Sequence, residues 1–149
     1  MKCEIVITPH EPERVVLYVN RSSAQAEALA QEINSLLAET NPDLIGYTDK
    51  EIVRISPDQI CCFVAEGGRI FAITDQERLL MKQRLYELEA MLGKDFIKIN
   101  QSCIANIRKI ERFDTSLGGS LTVRFTNGYK DYVSRRQLKL VKERIGFKL

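Results

Sequence analysis

Histidine is nearly absent from this chain of 149 residues: the single one, His10, sits in a Pro-His-Glu-Pro stretch that reads as a loop. One imidazole excludes a His-rich metal site, and its place in a loop leaves little prospect of a Ser-His-Asp or Cys-His nucleophile system. Cysteine is scarce as well. Cys3, Cys61, Cys62 and Cys103 show no Cys-x-x-Cys spacing, and adjacent Cys61 and Cys62 on a strand are expected to face opposite ways, which suits neither a zinc knuckle nor a redox motif. They read as structural thiols. No Gly-rich loop with a following Lys is present, since Gly67-Gly68 and Gly118-Gly119 are isolated turn pairs. No apolar run approaches the ~18 residues of a membrane span. The N-terminal Met-Lys-Cys-Glu-Ile-Val-Ile-Thr-Pro lacks the apolar stretch and cleavage site of a signal peptide. These absences point to a cytoplasmic chain without a cofactor and without enzymatic chemistry.

What is present is segregated charge. From Phe96 to Leu149 there are twelve Lys/Arg against four Asp/Glu, and before Phe96 ten against sixteen, so a total of +2 resolves into +8 and −6. A basic block suits an anionic partner: nucleic acid, an anionic membrane surface or an acidic protein. Charge alone does not rank these, and a solvated basic surface is the plain alternative. A chain of this length buries roughly 70% of its unfolded surface, enough for one principal domain with an appendage.

The first forty residues read as strand, strand, helix. Glu4 to Thr8 and Val15 to Val19 are β-rich runs separated by Pro9 and Pro12. Ser22 and Gln25 then have capping-box spacing ahead of Leu29, Ile33, Leu36 and Leu37, an apolar stripe on a helix ending near Thr40. Asn41-Pro42-Asp43 is the expected boundary, dividing the chain into 1–43 and 44–149.

Beyond it come short strands: Ile52 to Ile55, Ile60 to Ala65 and Arg69 to Ile73, the last two joined at Gly67-Gly68. From Asp75 to Met91 the period is helical, with Thr74 and Glu77 at capping-box spacing, Met81, Leu85, Leu88 and Leu92 on one face, and Gly93 as the stop. Phe96 to Ile99, Ile110 to Phe113 and the strictly alternating Leu121 to Thr126 are further strands. Asn127-Gly128 is a strong hairpin signal. A last helix starts at Ser134-Arg135-Arg136, carries Leu138, Val141 and Ile145, and ends at Gly146.

The string Phe96-Ile97-Lys98-Ile99-Asn100-Gln101-Ser102-Cys103-Ile104-Ala105-Asn106-Ile107, the Asn127-Gly128 hairpin and the closing Val133-Ser134-Arg135-Arg136 together resemble the LytTR family of bacterial DNA-binding domains, over Leu44 to about Ile145. The resemblance implies an α+β, β-dominated domain of small packed antiparallel sheets with short helices. It also implies a strand across Glu77 to Met81 and a helix from Arg84 in place of one long helix. Loops, rather than a helix, meet successive major grooves of duplex DNA. Carried onto this sequence, the contacts fall on Gly68 and Arg69, on Asn100, Gln101 and Ser102, and on Arg135 and Arg136. One departure is that the family often reads His-Arg-Ser where this chain has Asn-Gln-Ser. A second is that many members carry a receiver domain, for which forty-odd residues are too few. The chain is similar instead to short stand-alone regulators with a ββα-like N-terminal piece, a resemblance that implies repeated half-sites and a small integral-membrane partner. The apolar stripe of the N-terminal helix then either meets a second copy, giving a homodimer, or packs on the domain and completes one monomer's core.

Lys98, Arg108, Lys109, Arg135, Arg136, Lys139 and Lys142 are the charges available for phosphates. For Lys139 and Lys142 a solvated helix face is the alternative. Arginine's planar fork matches guanine O6 and N7, and amides such as Gln101 or Asn100 match adenine N6 and N7, although Gln101 can also cap its own turn. Asn106 reads as satisfying backbone groups. Two rival functions remain: an interaction module with an acidic docking half, and RNA binding. The latter lacks an evident exposed aromatic pair among Phe96, Phe113, Phe125 and Tyr129.

Overall fold

The computed structural model describes residues 4–7, 9–10, 14–38, 43–115 and 120–148. It divides into two units, Met1–Glu39 and Thr40–Leu149. In the first, helix α1 spans Ala24–Ala38. Its cap falls one residue later than the sequence suggests. Ser23 Oγ accepts the Ala26 N–H at 3.1 Å, and the Ser23 carbonyl accepts the Glu27 N–H at 3.1 Å. Along the apolar stripe Leu29 and Ile33 are half-buried and Leu36 is exposed. The two strands expected before it are not formed among the described residues: Glu4–Ile7 and Arg14–Val19 have no ladder. Ile5 and Tyr18 are 91% and 93% exposed. Strand propensity reflects fit to a pleated, half-buried surface, and an isolated pair of short strands is marginal in water. Thr8, Pro12, Leu37's side chain, Thr40, the expected turn at Asn41-Pro42 and the pair Gly118-Gly119 lie outside the described residues.

The second unit opens with β1 (Leu44–Tyr47), β2 (Ile52–Ile55), β3 (Ile60–Glu66), β4 (Arg69–Thr74) and β5 (Arg78–Met81). Helix α2 (Leu85–Met91), β6 (Phe96–Asn100), β7 (Cys103–Asn106), β8 (Ile110–Asp114), β9 (Leu121–Phe125), β10 (Lys130–Val133) and α3 (Arg135–Ile145) follow. Seven strands form one sheet in the order β2-β1-β5-β4-β3-β7-β6, and β10-β9-β8 form a second; every pairing is antiparallel.

The long helix that the period of residues 75–91 suggests is replaced by a turn, a strand and a seven-residue helix. Thr74 Oγ1 accepts the N–H groups of Gln76 (3.2 Å) and Glu77 (3.0 Å), while the Thr74 N–H donates to the Glu77 carbonyl at 3.0 Å. The hydroxyl that could cap a helix thus closes a hairpin. Leu79 and Met81 are buried on the pleat, and α2 starts where Glu87 Oε1 accepts the Arg84 N–H at 3.2 Å. This is the strand and helix order that the family resemblance implies.

The larger sheet buries both faces. One face carries Ile60, Phe63, Ala72, Leu79 and Ile104 and meets Leu88 of α2. The other carries Cys61, Cys62, Val64, Ile99 and Cys103 and meets Leu121, Val123 and Phe125 of the second sheet and Val141 of α3. Adjacent Cys61 and Cys62 therefore share one side, against the alternation expected of them. A register shift between Ile60 and Cys62 in the β3–β4 ladder adds the extra residue that allows it. Both thiols and Cys103 are free and buried. A hydrogen bond with Cys62, and burial after it, hold Cys103 well above its ordinary pKa.

Gly46 leaves no room for a side chain beside β5. A Cβ there would lie 2.6 Å from Leu79 Cβ. Gly46→Ala should therefore force β1 from β5 and lower stability by about 1–3 kcal/mol in urea unfolding. Tyr129 supplies a pH test. Burial first, and the Asp131 carboxylate next, push its hydroxyl from 10.0 up to about 12. The unfolded chain ionises first, so stability that is intact below about pH 10 is lost as pH rises through the folded value. Tyr129→Phe should flatten the decline of the urea midpoint across that window.

Candidate nucleic-acid interface

Three segments far apart in the sequence meet at one end of the larger sheet. Glu66 pairs with Arg69, so β3 and β4 close on Gly67-Gly68, with φ of 58° and 76° in the left-handed region that glycine tolerates best. Val64 pairs with Cys103, and the Ala65 N–H donates to the Ser102 carbonyl at 2.8 Å. The Gln101-Ser102 turn therefore stands beside the glycine turn. The Ser134 N–H donates to the Ile99 carbonyl at 2.8 Å, which brings Arg135 and Arg136 to the same strand pair. Gly68, Arg69, Gln101, Ser102, Arg135 and Arg136 are all exposed.

Asn100 faces inward, which corrects its expected place among the outward amides. It is 2% exposed. Its Nδ2 donates to Asp131 Oδ1 at 3.0 Å and to the Tyr132 carbonyl at 2.8 Å, and its Oδ1 accepts the Ser102 N–H at 2.8 Å. With both donors and the acceptor spent inside the protein, the amide shapes the turn that presents Gln101. Lys98 is also set apart. It is half-buried and lines a separate groove with Glu89, Gln137 and Arg144. Asn106 behaves as expected: its Nδ2 donates to the Ile60 carbonyl at 2.9 Å and its Oδ1 accepts the Arg108 N–H at 3.1 Å.

The Asn127-Gly128 hairpin lies at the opposite end, where Asn127 Nδ2 donates to the Thr74 carbonyl at 3.0 Å. There the cations are paired. Lys109 lies 3.8 Å from Asp75, and Arg108 lies 3.1 Å from Asp95. Both therefore carry less net field than the sequence suggests. Arg69, Arg135 and Arg136 have no carboxylate partner among the described residues. Exposed ion pairs contribute little stability, but they cancel charge locally, so Lys109 and Arg108 are offset while the arginines at the three turns keep their full charge. Sequence reasoning missed Lys82 and Arg84. The pairing of Ile70 with Met81 carries them to this end, and the apparent helical period concealed it.

A sequence model of the LytTr DNA-binding domain matches residues 50–146. The chain belongs to the LytTR family. Two relatives from Staphylococcus aureus, strains NCTC 8325 and COL, each named an uncharacterised HTH-type transcriptional regulator, are 31% identical over 146 residues, covering 97% of this chain and 98% of theirs. The LytTr DNA-binding domain of a protein titled a methyl-accepting/DNA response regulator from Bacillus cereus superposes with a TM-score of 0.67 at 20% identity, covering 71% of this chain and 98% of that one. This likeness shows a shared fold. The relatives' names speak of a helix-turn-helix, whereas among the described residues of this LytTR chain strands separate each helix from the next. No described helix is long and apolar enough to cross a membrane, and no described cluster of His, Cys, Asp and Glu could hold a metal ion.

Asn100→Ala tests the inward amide. It leaves the Ser102 N–H and the Tyr132 carbonyl unsatisfied and should cost about 2–4 kcal/mol in urea unfolding. Gln101→Ala, one residue on and exposed, should change stability by less than about 0.5 kcal/mol.

Proposed function

We propose that this LytTR chain is a transcriptional regulator that binds duplex DNA sequence-specifically by placing its exposed turns in successive major grooves. The observation that carries the reading is the meeting of three sequence-distant turns, with arginines free of acid partners, at one end of a buried sheet. In this reading Arg69 and Arg135 neutralise phosphates, which fix register without reading sequence. Gln101 and Arg136 reach base edges, the amide suited to adenine and the guanidinium to guanine. Ser102 and the Gly68 backbone complete the contact surface, and Asn100 holds the middle turn in place. The N-terminal unit supports a homodimer on repeated half-sites. Its exposed Ile5, Ile7 and Tyr18 are apolar surface suited to a second copy.

A mobility-shift titration with duplex DNA from upstream of its own gene tests the reading. With ~4–6 phosphates neutralised, log K should fall against log salt with a slope of about −4 to −5. A flat salt response, or equal affinity for every sequence, overturns it. Arg136→Ala or Gln101→Ala should cost ~1–3 kcal/mol on the cognate site and relax base preference, whereas Lys139→Ala should weaken all sequences evenly or not at all. Sedimentation of the full chain at micromolar concentration should give a dimer; a monomer overturns that part.

A further inference from the structure

Beside the glycine turn lies an open groove of about 430 Å³, walled by Gly68 and Arg69 on one side and by Met81, Lys82, Gln83 and Arg84 on the other. Three cations line it and no carboxylate does. None of the three has an acid partner among the described residues. Lys82 is positioned without being neutralised, because its ammonium sits 5.0 Å from the centre of the Tyr47 ring. Glu66, the acid next to the glycine turn, is taken by Arg78, which itself stacks 4.7 Å over Phe71.

We propose that this groove grips a backbone phosphate of the bound duplex with Lys82 and Arg84, assisted by Arg69, as an anchor that adds affinity without sequence preference. The proposal rests on the DNA-binding reading above and extends it to residues outside the three turns. The geometry favours a phosphodiester over a small free anion. The groove is open to solvent and continuous with a turn assigned to the major groove. A major groove is ~12 Å wide, so whatever flanks a turn inserted in it meets the phosphates along its margin. Lys82 and Arg84 stand on the three-residue connection between β5 and α2, a short tether whose backbone loses less freedom on contact than a long loop would.

The full chain carrying Lys82→Gln and Arg84→Gln together, compared with wild type by fluorescence anisotropy on cognate and scrambled duplexes across a salt series, decides it. The expected result is a slope reduced by about 1 and binding weakened roughly 3- to 10-fold on both duplexes, with their affinity ratio unchanged. The charge-keeping pair Lys82→Arg and Arg84→Lys should retain the wild-type slope, which a purely structural role would not require. An unchanged slope in the Gln pair, or a loss confined to the cognate duplex, overturns the phosphate anchor while leaving the DNA-binding reading intact. A wild type that binds neither duplex overturns the DNA-binding reading itself, and the anchor with it.

Discussion

The register of β3 is the constraint on which the candidate interface depends. This strand is buried along most of its length and pairs with β4 on one side and β7 on the other. Its two ladders place the Gly67-Gly68 turn and the Gln101-Ser102 turn side by side, and a shift of one residue in either would move a turn along the sheet and exchange the side chains that face its two cores. The bulge at Ile60–Cys62 lies at the far end of the strand, away from the turns. Irregularity near the paired Asp75 cluster thus leaves the opposite end with an unbroken ladder from Cys62 to Glu66.

Polar groups divide between those that shape the fold and those left over. Among the described residues Asn100 and Asn106 are the two buried polar ones, and each ties its own turn to a distant backbone group, Tyr132 in one case and Ile60 in the other. Such buried amides are costly unless fully bonded, so they specify a single arrangement of the strands. The surface acids Asp75, Asp95, Glu66 and Glu111 each take one Lys or Arg. Among the described cations without a carboxylate partner, Arg69, Arg135 and Arg136 are the ones that the three turns bring to one end of the sheet.

Much of the second unit was legible in the sequence because its signals are local. Leu121 to Phe125 alternates with period two, and Gly67-Gly68 and Asn127-Gly128 carry the chemistry of their turns. β7 was harder to read, since Cys103–Asn106 is buried at every position and shows no alternation. Residues 78–81 misled because Met81, Leu85 and Leu88 fall at helical spacing although one belongs to a strand and the others to a helix. Which of two neighbouring amides, Asn100 or Gln101, points inward depends on Tyr132 and Asp131, some thirty residues away. At the N-terminus the error ran the other way: propensity at Glu4 to Thr8 and Val15 to Val19 was real, but no strand there has a partner among the described residues.

Helix α3 carries the clearest conflict between local stability and the surface it presents. Its inner face is conventional, with Val141 buried and Leu138 and Ile145 packed against the same core. Its first turn is not. Arg135 and Arg136 stand at the positive end of the helix dipole, no acidic residue accompanies them, and the Ser134 side chain makes no capping bond. Each cation placed there costs ~0.3–1 kcal/mol relative to the opposite terminus. A sequence shaped only for folding would put an Asp or Glu in that turn. An anion lying across it reverses the sign of the term for both arginines and for the unpaired N–H groups together. Local rules broken without compensation inside the protein are expected where function resides. Here the break falls on the residues that the register of β6 and the Ser134–Ile99 bond bring to the three turns.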